Sequence, residues 1–188
     1  MHDAARPAPW SVGTLSPSKP ELYRELASEL NGLLADEPDF IATAANAAGA
    51  IFHALPDLNW AGFYFLRGAD LVLGPFQGRP ACTRIAAGKG VCGTAVAERR
   101  SVLVPDVEAF PGHIACDAAS RSELVVPLFA GEILLGVLDL DSPVVARFDA
   151  DDQVGCETLA RVIERAFAMS LRAGGEAIPQ GIASLRPQ

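Results

Sequence analysis

The sequence predicts an α+β domain, in which helices pack on one face of a largely antiparallel sheet and loops cover a pocket on the other. Two helical patterns come first, strand segments in hairpins follow, and a long helical pattern comes last. Strands joined by tight turns pair antiparallel, and helices grouped outside the strands can share one sheet face. Long connections before Leu124 leave room for a pocket on the opposite face.

The helices are predicted from caps and apolar spacing. Ser18 and Glu21 form a capping-box pattern with Pro20 in the first turn, so the first helix runs from there to about Leu34. A second helix follows Pro38. Its inward positions are Ile41, Ala44, Ala48, Ile51, Phe52 and Leu55. Asp149 caps the last helix, whose apolar stripe includes Cys156, Leu159, Ile163 and Phe167.

Strands and turns occupy the middle of the chain. Two hairpins are predicted, at 59–66 with 71–76 and at 124–129 with 132–140. Glycines between 74 and 93 indicate loop and tight turn, and a short helix should run from about Gly93 to Arg99. A short strand at 101–104 ends at Pro105, and residues 105–122 form a long loop.

Composition narrows the class of protein. The 188 residues suit one domain, predicted at 18–172, with a flexible arm at 1–17 and a flexible tail at 173–188. The net charge is −8 and no basic run occurs, so neither nucleic acid nor an anionic membrane is an expected partner. With no signal peptide or membrane-spanning stretch in the sequence, we expect a cytoplasmic protein whose cysteines are reduced at rest.

Thiols and carboxylates are concentrated in one part of the sequence. Cys82, Cys92 and Cys116 fall in a Gly-rich, loop-rich stretch, and Glu123, Asp139 and Asp141 follow. A thiolate can attack an electrophilic atom, a protonated carboxyl can protonate a leaving oxygen, and a second thiol can close a disulfide. The grouping therefore suggests redox chemistry at sulfur, although any single cysteine is more often buried and inert. For Cys156, on the stripe of the last helix, we expect that inert role.

The sequence leaves the thiol pKa values open. His113 and Arg121 flank Cys116, and Cys92 lies where a helix is expected to open; both settings favour thiolate. Nearby carboxylates would act in the opposite direction and raise a thiol pKa. No compact Cys-x-x-Cys pair occurs, so zinc bound by Cys82, Cys92, Cys116 and His113 is a weaker alternative.

Asp139 and Asp141 lie two apart in a strand and so point to the same face, which Ile133, Leu135 and Val137 are predicted to share. Two carboxylates leaving an apolar stripe repel each other, and burial adds to the cost of charging both, so one should hold its proton to unusually high pH. The alternative is that they simply end the strand at its solvent edge. Glu123, taken alone, is best explained as a solvated strand end.

Trp60 and Tyr64 are four apart in the first strand and share a face. Aromatic rings can wall a site for a sulfonium-like or ammonium-bearing ligand. On the residues alone, ordinary core packing is the preferred explanation.

Five segments of the chain form a recognisable set. They are Leu73–Gly78, Gly90–Ala95, Val104–Val107, Phe110–Asp117 and Gly136–Pro143. Together they resemble the free methionine-(R)-sulfoxide reductases, which are single GAF-type domains. The resemblance spans roughly residues 20–172 and is most specific around Cys116.

The resemblance implies a role for each candidate residue. Cys116 would attack the sulfoxide sulfur, with Cys92 and Cys82 as resolving thiols in an order that stays open. Trp60 and Tyr64 would wall the substrate pocket. The carboxyls that would hold and protonate the sulfoxide oxygen are those of Glu123, Asp139 and Asp141.

The resemblance also implies partners. The substrate would be free methionine-(R)-sulfoxide, the recycling reductant thioredoxin or a similar dithiol, and the assembly a homodimer; no metal or organic cofactor would be needed. Two rival interpretations remain at this point. One is a GAF module that senses a small molecule without catalysis, and the other is a zinc-stabilised structural domain.

Overall fold

A six-stranded antiparallel sheet forms the centre of the protein, as described by a computed structural model for residues 18–114 and 116–172. The predicted arm at 1–17 and the predicted tail at 173–188 lie outside the described residues. The helices are α1 Lys19–Leu33, α2 Phe40–Ala54, α3 Gly90–Glu98 and α4 Ala150–Arg172. The strands are β1 Trp60–Arg67, β2 Asp70–Gly78, β3 Arg84–Ala86, β4 Val102–Val104, β5 Ser122–Ala130 and β6 Ile133–Ser142.

The strand order is β3-β2-β1-β6-β5-β4, and each neighbouring pair is antiparallel. Both predicted hairpins form, β1 with β2 and β5 with β6. Central strands β1 and β6 are covered on both faces, because one face packs on long helices and the other on α3 and loops. The predicted α+β fold with an antiparallel sheet is confirmed.

Helices α1, α2 and α4 cover one sheet face and enclose the larger apolar core. Phe40 of α2 stacks on Phe167 of α4 with ring centroids 4.1 Å apart, which joins two helices over the strands. The prediction that Ile41 points inward is wrong, since it is 45 % exposed. Phe40, one position earlier, takes the inward place because Asp39 caps the helix there through its side chain.

A buried carboxylate fastens α1 to α4. Asp152 accepts hydrogen bonds from the Lys19 ammonium at 2.6 Å, the Tyr23 hydroxyl at 2.9 Å and the Arg147 guanidinium at 3.0 Å. Its side chain is 1 % exposed, so its charge depends on these partners for compensation. The network fixes the first helix against the last.

The other sheet face differs from the prediction in two elements. Helix α3 packs there, so not every helix lies on one face, and it begins at Gly90, which places Cys92 in its first turn. Strand β3 lies inside the segment predicted as loop. The turn between β3 and α3 is tight, because a Cβ at Gly93 would lie 2.6 Å from the carbonyl oxygen of Ala86.

A β-bulge in β6 reverses which residues face the helices. Leu128 pairs with Gly136, but Phe129 pairs with Leu134, so Leu135 is an extra residue. Gly136 has φ +158, and a Cβ there would collide with the carbonyl oxygen of Tyr64. As a result, Leu135 packs in the helix-side core whereas Val137 faces α3. The prediction that Ile133 and Leu135 share a face with Asp139 is wrong for this reason.

Within the described residues, no helix is long and apolar enough to cross a membrane.

Candidate active site

A pocket opens on the α3 face of the sheet, where α3 and the loop before β5 meet the ends of β5 and β6. Its wall combines thiol, carboxyl and imidazole groups from distant parts of the chain. The main polar contributors are Cys92, His113, Cys116, Glu123, Asp139 and Asp141. Five of the six cysteine and carboxyl candidates named from the sequence therefore lie in one pocket, and the sixth, Cys82, is bonded to it through Cys116.

Strand register brings the three carboxyls together. Glu123 of β5 lies directly opposite Asp141 of β6, and Asp139 is the next residue of β6 on the same face. Glu123 and Asp139 are 6 % and 5 % exposed, so their charged forms are poorly solvated. The solvent-edge interpretation is therefore wrong for these two.

Burial is the main reason why the carboxyls hold their protons. It raises the pKa of Asp139 to about 7, against the opposing effect of contacts with Cys92 and Glu123 that favour the ionised form. Burial, reinforced by the charge of Asp139, also raises the pKa of Glu123 and that of Asp141. The site thus contains carboxylic acids that can donate protons near neutral pH.

The structure shows which of two opposing effects, the start of a helix or the nearby carboxylates, controls the pKa of the Cys92 thiol. Its Sγ donates to Glu123 Oε1 at 3.9 Å, and it lies in the first turn of α3. Burial raises the pKa of this thiol, and the charges of Asp139 and Glu123 raise it further. Cys92 is therefore a neutral thiol at rest, since these effects outweigh the opening of the helix.

Cys82 and Cys116 form a disulfide with Cα atoms 5.3 Å apart. Cys82 belongs to the connection from β2 to β3, and Cys116 to the loop before β5, so the bond joins two segments at the pocket. Zinc held by thiolates of Cys82, Cys92 and Cys116 does not fit this state. Cys156 is free and fully buried among the helices, where burial raises its pKa to about 12.

The two basic residues near Cys116 in sequence, His113 and Arg121, contact carboxylates elsewhere in the structure. Nε2 of His113 lies 3.8 Å from Glu123 Oε2, and burial lowers the pKa of this imidazole, which favours its neutral form. Arg121 lies 3.6 Å from Glu108 and 3.9 Å from Asp106, both carboxylates on the outer side of the loop. Neither contact places a fixed positive charge on the sulfur of Cys116.

Trp60 and Tyr64 lie on the pocket face of β1 but are 2 % and 1 % exposed. Their rings stack with centroids 5.9 Å apart. The indole donates to the carbonyl of Arg79, and the Tyr64 hydroxyl donates to the carbonyl of Cys82. In this disulfide state they lie behind the pocket and hold its β2–β3 connection, and they do not line it.

The sequence did not indicate a polar group that lies beside the pocket. Asn59 Nδ2 donates to Asp117 Oδ2 at 3.1 Å and to Ser120 Oγ at 3.0 Å, and a hydrogen bond from Ser120 partly offsets the raised pKa of Asp141. Asp117 directly follows Cys116, which is the only signal that the sequence offered for it. Lys89 lines the pocket as well.

The pocket is nearly closed. It offers a volume of about 20 Å³, enough for about one water molecule. A free amino acid would therefore need the loops joined by the disulfide to separate.

One triad could hold a metal ion: single ligand atoms of Cys92, Glu123 and Asp139 lie within 4.8 Å of one another.

The sequence and the fold are similar to those of known proteins. The GAF domain family matches residues 25–167, so the sheet and its helices define a GAF domain. The chain is 49 % identical over 151 residues to the free methionine-R-sulfoxide reductase of Escherichia coli, covering 80 % of this chain and 92 % of that one. It is 40 % identical over 156 residues to the Saccharomyces cerevisiae enzyme of that name, covering 79 % and 87 %.

A solved structure is similar over nearly the same span. The free methionine-R-sulfoxide reductase of Neisseria meningitidis, in complex with its substrate, superposes with a TM-score of 0.81 at 45 % identity. The match covers 85 % of this chain and 96 % of that one. The chain belongs to the free methionine-R-sulfoxide reductase family of GAF domains, which confirms the resemblance drawn from the sequence motifs.

Proposed function

We propose that this protein reduces free L-methionine-(R)-S-oxide to L-methionine with thiols as the electron source. The observation that carries the proposal is the Cys82–Cys116 disulfide at a pocket that also contains three carboxyls with raised pKa values. The Escherichia coli and Saccharomyces cerevisiae relatives named for this activity support the substrate.

Cys116 is the nucleophile in this proposal. In the reduced enzyme its thiolate attacks the sulfoxide sulfur and forms an S–S bond while a pocket carboxyl protonates the oxygen. The hydroxyl then moves to the sulfur of Cys116 as the S–S bond and the bond from oxygen to the substrate sulfur break, which gives methionine and a Cys116 sulfenic acid. The sulfur of methionine is thereby reduced by two electrons and that of Cys116 is oxidised by two. Cys116 suits this role because it lines the pocket, whereas Cys156 lies in the other core.

Cys82 is the first resolving thiol. It attacks the sulfenic sulfur, releases water and forms the Cys82–Cys116 disulfide. An external dithiol, proposed to be thioredoxin, reduces that bond and regenerates both thiols. Cys92 is a second resolving thiol, and its buried neutral state means that it acts only after a rearrangement that exposes and deprotonates it.

The carboxyls supply the protons. Oxygen leaves a sulfoxide with difficulty unless it is protonated, so an acid beside it lowers the barrier. Asp141 and Asp139 on β6, with Glu123 opposite, hold the oxygen and protonate it because their pKa values are raised by burial. Their remaining negative charge also suits the substrate ammonium group.

Reduction of the disulfide opens the pocket to the substrate. The bond joins the β2–β3 connection to the loop before β5, and Tyr64 holds the first of these through the carbonyl of Cys82. Once the two segments separate, the rings of Trp60 and Tyr64 form the wall behind the bound amino acid. A peptide chain could not leave such an enclosed site, which favours free methionine sulfoxide.

The proposed assembly is a homodimer formed through the helices, by analogy with GAF domains in general. Leu33 of α1 and Ile41 of α2 are 47 % and 45 % exposed on the outer helical layer. Exposed apolar side chains on neighbouring helices are suited to contact with a second copy.

The test of the function is methionine formation from the separated R and S epimers of free methionine sulfoxide, with dithiothreitol or thioredoxin as reductant. We expect turnover of the R epimer alone. A peptide that contains methionine-(R)-sulfoxide is the control and should not react. Absence of turnover with either epimer, from folded and fully reduced protein, would favour the sensing module.

A further inference from the structure

We propose that the disulfide form of this protein binds one Zn²⁺ ion per chain through the Cys92 thiolate and the carboxylates of Glu123 and Asp139, with release to solvent of the protons that these groups hold in the empty site. This is a metal site in addition to the proposed activity, and it does not depend on that activity. The ion would occupy the space that the carboxyls enclose, so the zinc-bound protein could not admit substrate. The proposal rests on the arrangement of these groups in the oxidised state.

The first observation is geometric. The three ligand atoms lie within 4.8 Å of one another, and Cys92 Sγ is 3.9 Å from Glu123 Oε1. Two atoms bound to the same tetrahedral zinc ion are about 3.5 Å apart, given bonds of about 2.3 Å to sulfur and 2.0–2.2 Å to oxygen. Small side-chain rotations therefore suffice to bring all three into coordination.

The second observation is an unpartnered atom. Oδ1 of Asp139 is buried and has no hydrogen-bond partner among the described residues, and the residue is 5 % exposed. Buried polar atoms are normally paired, so such an atom needs an explanation such as a water molecule or an ion. It belongs to the same carboxyl that provides the ligand atom of the triad.

The third observation concerns space and chemistry. The pocket offers about 20 Å³, which suits one ion or one water molecule and not an amino acid. A thiolate beside two carboxylates suits a borderline-soft ion such as zinc, whereas calcium and magnesium prefer oxygen ligands in larger number. The fourth ligand of the tetrahedron would be a water molecule.

The ligand set differs from the one that the sequence alone suggested. Cys82 and Cys116 are bonded to each other and offer no thiolate in this state, which leaves Cys92 and Cys156 as the free cysteines of the described residues. Cys156 lies in the helix-side core, beside the hydroxyl of Tyr23. Cys156 serves as the matched control, because it is also a free, buried thiol but lies in the other core, away from the carboxyls of Glu123 and Asp139.

The test uses the full chain without an affinity tag, in its disulfide form. That form is verified by a thiol assay of the denatured protein, in which only the two free cysteines should react. Co²⁺, a spectroscopic stand-in for zinc, should give a near-ultraviolet thiolate-to-cobalt charge-transfer band that saturates at one ion per chain, and Zn²⁺ should displace it. Cys156→Ala should keep the band and the stoichiometry. Cys92→Ser should lose the band.

Two shape-preserving variants keep the proposal falsifiable if Cys92→Ser does not fold. Asp139→Asn and Glu123→Gln each remove one ligand and should weaken Zn²⁺ binding in calorimetry by at least about 100-fold, the upper end of the effect of removing an outer partner of a metal ligand. Circular dichroism would establish that each variant is folded. Absence of the band in the wild-type protein, its loss in Cys156→Ala, or unchanged affinity in both carboxyl variants would overturn the proposal.

Discussion

Replacing Asp139 with Asn should make the protein more stable at alkaline pH while it impairs the site. Burial raises the pKa of this carboxyl to about 7 in the folded chain, from 3.8 in the absence of that environment. The folded state therefore keeps the proton to higher pH than the unfolded state does. The resulting stabilisation is complete below the unfolded pKa and is lost as pH rises through the folded pKa.

The size of the effect follows from the shift. From 3.8 to about 7 is about three pKa units, and at about 1.4 kcal/mol per unit the full change is on the order of 4 kcal/mol. Between about pH 5 and about pH 8, where both proteins can be studied, the loss should be about 3 kcal/mol. The charge of Asp139 also raises the pKa values of Glu123 and Asp141. Its removal should therefore lower those two pKa values and further reduce the loss of stability at high pH.

The assay is urea unfolding of the disulfide form at the two pH values, with the free energy of unfolding taken from midpoint and slope. Wild-type stability should fall towards the higher pH, and Asp139→Asn should flatten that fall by about 3 kcal/mol. Asp70→Asn is the control, because Asp70 is 45 % exposed with an arginine partner at 3.9 Å and such pairs contribute little. A pH dependence in Asp139→Asn equal to that of the wild type would refute the burial argument.

Three further outcomes are expected. Cys116→Ser should abolish methionine formation, whereas Cys156→Ser should retain it; full activity in Cys116→Ser would contradict the nucleophile assignment. Asp152→Asn should lower the free energy of unfolding by about 3–5 kcal/mol, since it leaves Lys19 and Arg147 without their buried partner, and a loss below about 1 kcal/mol would contradict it. Reduction of the disulfide should speed amide hydrogen exchange in the loop at 110–121, and equal exchange in both states would count against opening of the pocket.

The elements that the sequence predicted well are those with local signals. The capping pattern of Ser18 and Glu21 starts α1 as expected, and the backbone N–H of Ser18 donates to the Glu21 carboxylate at 3.0 Å. The turn between β1 and β2 has Gly68 at φ +65, as an Arg-Gly-Ala-Asp turn requires. Cap and turn chemistry act within a few residues, so one segment is enough to recognise them.

What the sequence could not supply depends on tertiary packing. β3 is three residues long, in a Gly-rich segment, and forms only because β2 offers it a partner edge. The disulfide partner of Cys116 lies 34 residues away, and among three candidate cysteines the spacing does not choose a pair. The burial of Trp60 and Tyr64 behind the pocket likewise depends on backbone carbonyls of the β2–β3 connection.

The bulge at Gly136 determines which side chains of β6 point into the site. Regular alternation from Leu135 would place Asp139 and Asp141 on the same side as Leu135, which is the helix-covered core. The extra residue reverses the alternation, so both carboxyls face α3 while Leu138 and Leu140 complete the helix-side core. The close approach of β1, whose Tyr64 carbonyl leaves no space for a side chain at position 136, makes glycine necessary there. A glycine without side-chain chemistry thus determines on which face the acids lie, and the burial on that face raises their pKa values.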